Sequence, residues 1–153
     1  MSECLVVVDM QPGFLSSVPV IKEVAREIRR AKRLGSHIMI VEYEFYQRTH
    51  ECLLSLIEGY ENQSFVMKNR DGGGPHINSM MNRCKLPDFE NFRLCGVNFG
   101  ACVRRTAEGL SERFLFSKVE VIKKASNPGR FGSDDDGRLY HNTFDNIEVK
   151  NRR

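Results

Sequence analysis

Six short apolar runs, at residues 5–8, 38–41, 65–67, 92–97, 119–122 and 147–149, constrain the fold of this chain more than any other feature. Several are rich in Val and Ile, and they are continuous rather than alternating, as in strands covered on both faces of a parallel sheet. Parallel neighbours cannot be joined by tight turns, so a crossover must lie between them. The intervals supply it. Ile21, Val24, Ala25, Ile28 and Ala31 recur at three- and four-residue steps, with Gly35 as a C-terminal stop. Val103, Thr106, Ala107, Leu110 and Phe114 form a second stripe within 99–115. Shorter helical pieces are expected at 50–58, at 76–83 and around 134–143. Strands alternating with helices predict an α/β fold. Its expected form is a three-layer α/β/α sandwich with a mostly parallel, Rossmann-like sheet of about six strands.

A length of 153 residues suits one domain, 1–153. With 41% hydrophobic and 28% charged residues, a disordered chain is excluded. No apolar run approaches a membrane span, and no basic segment precedes 5–8, so that run reads as a buried strand rather than a signal peptide. The net charge of +3 comes from 23 basic and 20 acidic residues, too small an excess for a nucleic-acid binder. The densest basic stretch, 26–33, reads as the solvent face of the first helix. Five cysteines without a CxxC pair fit free thiols in a reducing, cytoplasmic setting. The expected partner is therefore a small molecule, with no nucleic acid and no membrane. The segment 126–137 reads as a surface loop or lid.

Ligands of open parallel sheets gather at the carboxyl ends of the strands. Three reactive residues follow apolar runs there: Asp9 after the first, Lys68 after the third, and Cys102 after the fourth. Each has a plain reading as a helix cap, a solvated charge or a small core residue. Together they form a hydrolytic inventory. Cys102 would attack an acyl carbon, Asp9 would take the thiol proton and return it to the leaving amine, and Lys68 would keep Asp9 ionised. Cys102 opens a predicted helix, whose dipole is expected to lower the thiol pKa below the usual value of about 8.5. Backbone amides of the preceding turn would receive the oxyanion.

At these residues the chain resembles the isochorismatase-like cysteine hydrolases, the superfamily of nicotinamidase and N-carbamoylsarcosine amidase. The segment LVVVDMQPGF, from Leu5 to Phe14, matches its hydrophobic-D-x-Q-x-x-F opening; Gly96-Val97 through Cys102-Val103 to Thr106-Ala107 matches its nucleophile motif. The resemblance implies an Asp9–Lys68–Cys102 triad and a six-stranded sheet with its first and fourth strands at the reversal point. It also implies a cis peptide between Val97 and Asn98 that aims the amides of Asn98 and Cys102 at the oxyanion. Cys102 favours the amidase side of the superfamily. Members are often homo-oligomers, so the resemblance extends to a homo-oligomer of unfixed number. Gln11, Phe14 and Phe99, adjoining the motifs, are the expected substrate contacts.

The chain also departs from its relatives. Nicotinamidases carry D-x-H and a later His that hold a metal. Here the segment reads Val41-Glu-Tyr43-Glu-Phe45-Tyr46, so no metal and no cofactor are expected, and His50 reads as a surface residue. The segment after Lys68, Asn69-Arg70-Asp71-Gly72-Gly73-Gly74-Pro75-His76, is also unlike theirs. Its glycines read as a turn rather than a phosphate loop, since Lys68 precedes them. The leading expectation is a hydrolase of small amides or carbamoyl compounds acting through a thioester. The alternative is a binding or regulatory protein on the same fold with little turnover.

Overall fold

A computed structural model describes residues 2–127 and 145–150. All six apolar runs are strands: β1 (Glu3–Val8), β2 (His37–Tyr43), β3 (Gln63–Lys68), β4 (Asn91–Gly96), β5 (Lys118–Ser126) and β6 (Ile147–Lys150). They form one sheet in the order β3-β2-β1-β4-β5-β6, and every neighbouring pair is parallel. The order reverses between β1 and β4. Among the described residues four α-helices cover the sheet: α1 (Val18–Leu34), α2 (Glu51–Ile57), α3 (Gly74–Arg83) and α4 (Arg104–Arg113). The helix expected around 134–143 lies outside the described residues, as does all of 126–137 beyond its first two positions.

Alternate side chains of the inner strands feed two cores, which is why those runs are largely apolar. Cys4, Val6 and Val8 of β1 pack with Ile77, Met80 and Leu110 beneath α3 and α4. Leu5 and Val7 pack with Val20, Val24 and Ile28 of α1 and Leu53 of α2. Each fully buried aliphatic side chain contributes about 1.5–3 kcal/mol. Helix α1 starts where the Ser17 hydroxyl accepts from the Val20 amide, and stops at Gly35 in the left-handed conformation.

The stripe expected over 99–115 is divided. Its first turn, Phe99–Val103, is π-helical, and the α-helix begins only at Arg104. The cause is the Asn98 carbonyl, which accepts from both the Ala101 and Val103 amides at 3.1 Å and widens the turn. The glycine run after β3 is a packing device. A Cβ on Gly74 would lie 2.8 Å from the Cα of Gly109, so α3 and α4 cross with backbones in contact.

Buried charges interrupt the apolar pattern, Arg93 among them. Arg93 of β4 is 2% exposed, and its guanidinium donates to both carboxylate oxygens of Glu27 on α1, at 2.6 and 3.0 Å. It also donates to Glu120 on β5 at 3.1 Å. Lys118 and Lys150 complete the network on the other Glu120 oxygen. A charge at that depth is tolerable only when its donors are spent in this way.

Candidate active site

The carboxyl ends of β1 and β4 meet where the strand order reverses, and the backbone there is unusual at three places. Asp9, directly after β1, has φ +51, a left-handed conformation rare outside glycine. Its amide donates to the Val41 carbonyl at 2.9 Å, which ties it to the neighbouring strand. Gly96, ending β4, has φ +125. The peptide between Val97 and Asn98 is cis, the geometry the family resemblance implied.

Asp9 and Lys68 form a buried ion pair of 2.9 Å, with side chains 1% and 0% exposed. Lys68 reaches it from the end of β3. Its ammonium also donates to the carbonyls of Arg70 and Asp71, at 3.0 and 2.9 Å, and stands 4.3 Å from the centre of the Tyr43 ring. Burial pushes the Asp9 carboxyl up from its ordinary value, and the Lys68 charge opposes this. The ammonium lies against Oδ2, which leaves Oδ1 as the oxygen not engaged by Lys68.

Cys102 joins this pair from the π-helical turn, where the Asp9 carboxylate and the Lys68 ammonium both act on its thiol. The expected lowering of its pKa does not occur. Burial first, and the Asp9 carboxylate next, push the thiol up to about 12, against the pull of Lys68. Desolvation and a neighbouring negative charge outweigh the dipole of a distorted helix start. The resting sulfur is therefore a thiol. Cys4 and Cys95 are fully buried, and burial raises both of their pKa values.

Of the backbone amides around the sulfur, those of Val97 and Phe99 donate to the carbonyls of Val8 and Asn127, and those of Ala101 and Val103 to Asn98. Phe14 is half-buried and stacks on Tyr46 at 4.5 Å between ring centres, with Tyr43 next to it at 6.1 Å. The other two expected contacts are placed differently. Gln11 is buried and spends its amide on the backbone. Its nitrogen donates to the Tyr43 and Gln47 carbonyls at 3.0 and 2.7 Å, and its oxygen accepts from the Tyr43 amide at 2.7 Å. It braces the loop after β2. Phe99 is 1% exposed and packs in the core under α3 and α4.

Sequence reasoning missed Asp71. The Cys102 thiol donates to its Oδ1 at 4.0 Å, and Arg105 stands 3.9 Å from its Oδ2. The only sequence signal was its place in the segment that departs from the family pattern.

No family model matches the sequence, and no curated protein matches it. Solved structures do. A nicotinamidase from Staphylococcus aureus superposes with a TM-score of 0.74 at 19% identity, over 98% of this chain and 100% of the other. The N-carbamoylsarcosine amidase of Thermoplasma acidophilum gives 0.73 at 17%, over 98% and 96%. The chain shares the fold of these structures, which an isochorismatase family protein from Desulfovibrio vulgaris also has. The likeness spans nearly the whole chain, in agreement with the strand order expected from the motifs. A ribonuclease from Caenorhabditis elegans gives 0.77 at 20%, over 97% of this chain and 77% of its own. The shared fold thus hosts several chemistries, and function must be argued from the site.

Nothing in the described residues reproduces a metal-binding donor set: among them, no group of three or more His, Cys, Asp or Glu side chains is arranged to hold an ion. His50, which the sequence places on the surface, is partly buried at the start of α2, and its Nε2 has no hydrogen-bond partner. No described helix is long and apolar enough to cross a membrane.

Proposed function

We propose that this chain is a cysteine hydrolase that cleaves the carbon–nitrogen bond of a small amide or carbamoyl compound through a thioester. The observation that carries the reading is the meeting of Asp9, Lys68 and Cys102, from three distant parts of the sequence, at the sheet's reversal point. The likeness to amidase structures supports it.

The cycle follows from the charges. At rest the proton sits on sulfur and Asp9 is ionised, held so by Lys68. As sulfur attacks the acyl carbon, the thiol proton passes to Asp9, so no free thiolate has to exist in solution. The oxygen of the tetrahedral intermediate is received by the backbone amides of Asn98 and Cys102. Collapse breaks the carbon–nitrogen bond, and Asp9 returns the proton to the leaving nitrogen. Water, deprotonated by Asp9, then attacks the thioester, which releases the acid and restores the thiol. This scheme needs no metal or other cofactor.

The same reading takes residues 1–153 as one domain with a small-molecule ligand, in a reducing compartment such as the cytoplasm, where five free thiols are stable. Assembly into a homo-oligomer belongs to it as well. The test is ammonia release across a panel of small amides, run beside Cys102→Ala. Release is expected from at least one amide and is expected to vanish in the variant. Release that survives Cys102→Ala would overturn the mechanism, and no release from a folded protein would favour a binding role.

A further inference from the structure

We propose that Asp71 is the specificity-determining charge of this site, selecting amides that carry a positive group, an ammonium or amidinium, beside the scissile bond. The inference rests on the hydrolase reading above and adds the substrate class.

Two carboxylates flank the sulfur, and their surroundings give them different tasks. Asp9 is buried and paired with Lys68. Asp71 has a side chain 55% exposed, and its Oδ1 stands 4.0 Å from Cys102 Sγ. It is the acid on the solvent side, so a ligand approaching the sulfur from water meets its charge. Its position is fixed from below, because its own carbonyl accepts the Lys68 ammonium at 2.9 Å.

The nearby cations leave that charge largely uncancelled. Lys68 is committed to Asp9 and two carbonyls. Arg104 is committed to Glu108 at 2.6 Å. Arg105 approaches the other Asp71 oxygen at only 3.9 Å, with its side chain 65% exposed, and such loose surface pairs are weak. The aromatic group of Tyr43, Phe14 and Tyr46 adds ring faces, which attract cations. A carboxylate-bearing amide finds repulsion where a cationic one finds attraction.

The test reads this charge at the sulfur itself. Methanethiosulfonate reagents bearing a trimethylammonium or a sulfonate group are applied at pH 9 to the intact protein, to Asp71→Asn and to Arg105→Gln. Labelling is read residue by residue by mass spectrometry, with the exposed Cys52 and Cys84 as internal references. At Cys102 the cationic reagent is expected to win over the anionic one by more than at the references. Asp71→Asn should shrink that preference about 25-fold, since one charge near 4 Å in water is worth about fivefold and the cationic reagent loses what the anionic one gains. Arg105→Gln should enlarge it. A preference unmoved by Asp71→Asn, a preference for the anionic reagent, or a Cys102 refractory to both would overturn the proposal. Because labelling needs no turnover, absence of amide hydrolysis would leave this result standing and would count only against the hydrolase reading.

Discussion

Gly96 and Val8 meet backbone to backbone where the sheet order reverses: a Cβ on Gly96 would lie 2.0 Å from the Val8 carbonyl oxygen. That oxygen accepts the Val97 amide at 2.9 Å, and Asp9 is the next residue. The approach of β1 to β4 that brings the candidate base toward the candidate nucleophile is thus available only to glycine.

Gly96→Ala is accordingly expected to cost about 3 kcal/mol or more, through a clash that neither strand can relieve and a φ of +125 that alanine avoids. Gly35→Ala makes the comparison. It shares a positive φ, +69, but has nothing within 4 Å, so only about 1 kcal/mol is at stake. Urea midpoints at constant slope measure both, and equal losses would contradict the steric account.

The thiol of Cys102 should become more reactive when its base is removed. Burial and the Asp9 charge hold its pKa at about 12, so Asp9→Asn lifts one cause, and only burial and the Asp71 charge still oppose Lys68. At pH 8, alkylation of Cys102 by iodoacetamide should be faster in Asp9→Asn than in the parent, by about tenfold for each unit its pKa falls. Amide turnover should be lost in the same variant. Slower alkylation would mean that Asp9 favours the thiolate rather than the thiol.

Truncating Arg93 should destabilise the fold far more than replacing the whole charged network with uncharged residues. Arg93→Ala strands Glu27, 1% exposed, takes one of three cations from Glu120, and is expected to cost about 3–5 kcal/mol. The triple variant Arg93→Met, Glu27→Met and Glu120→Gln, which leaves no buried charge unpaired, should recover much of that loss in denaturant titrations. Equal stability of the two would remove the network from the account of the core.

Acid should find Glu120 late. Its burial opposes ionisation, but hydrogen bonds from Lys150 and Lys118 outweigh this and draw its pKa down from 4.5 to about 2. A carboxylate with a depressed folded pKa contributes stability that is complete above its unfolded value and is lost as pH falls through the folded one. The stability of the parent should therefore decline from about pH 4.5 toward pH 2. Glu120→Gln should show a shallower decline over that window in thermal melts. Parallel curves would refute the assignment.

The strands were legible because each run is short, rich in apolar residues and widely spaced from the next, and that property needs no tertiary information. Asp9, Lys68 and Cys102 were legible as residues at strand ends. Their ionisation was not, since burial and mutual distance set the pKa of Cys102, and a linear pattern carries neither. Gln11 and Phe99 adjoin the motifs in sequence yet turn into the brace and the core, because proximity along the chain does not fix the direction of a side chain. Asp71 went unnoticed for the converse reason: only the folded loop brings it to the sulfur.

The grip of Lys68 on the carbonyls of residues 70 and 71 has an evolutionary corollary. A cation that holds main-chain oxygens does not discriminate among the side chains those residues carry. The loop after β3 can therefore exchange its side chains freely while the ammonium stays seated against its acid. A chain built this way can retune what it admits to the pocket without retooling the machinery beneath.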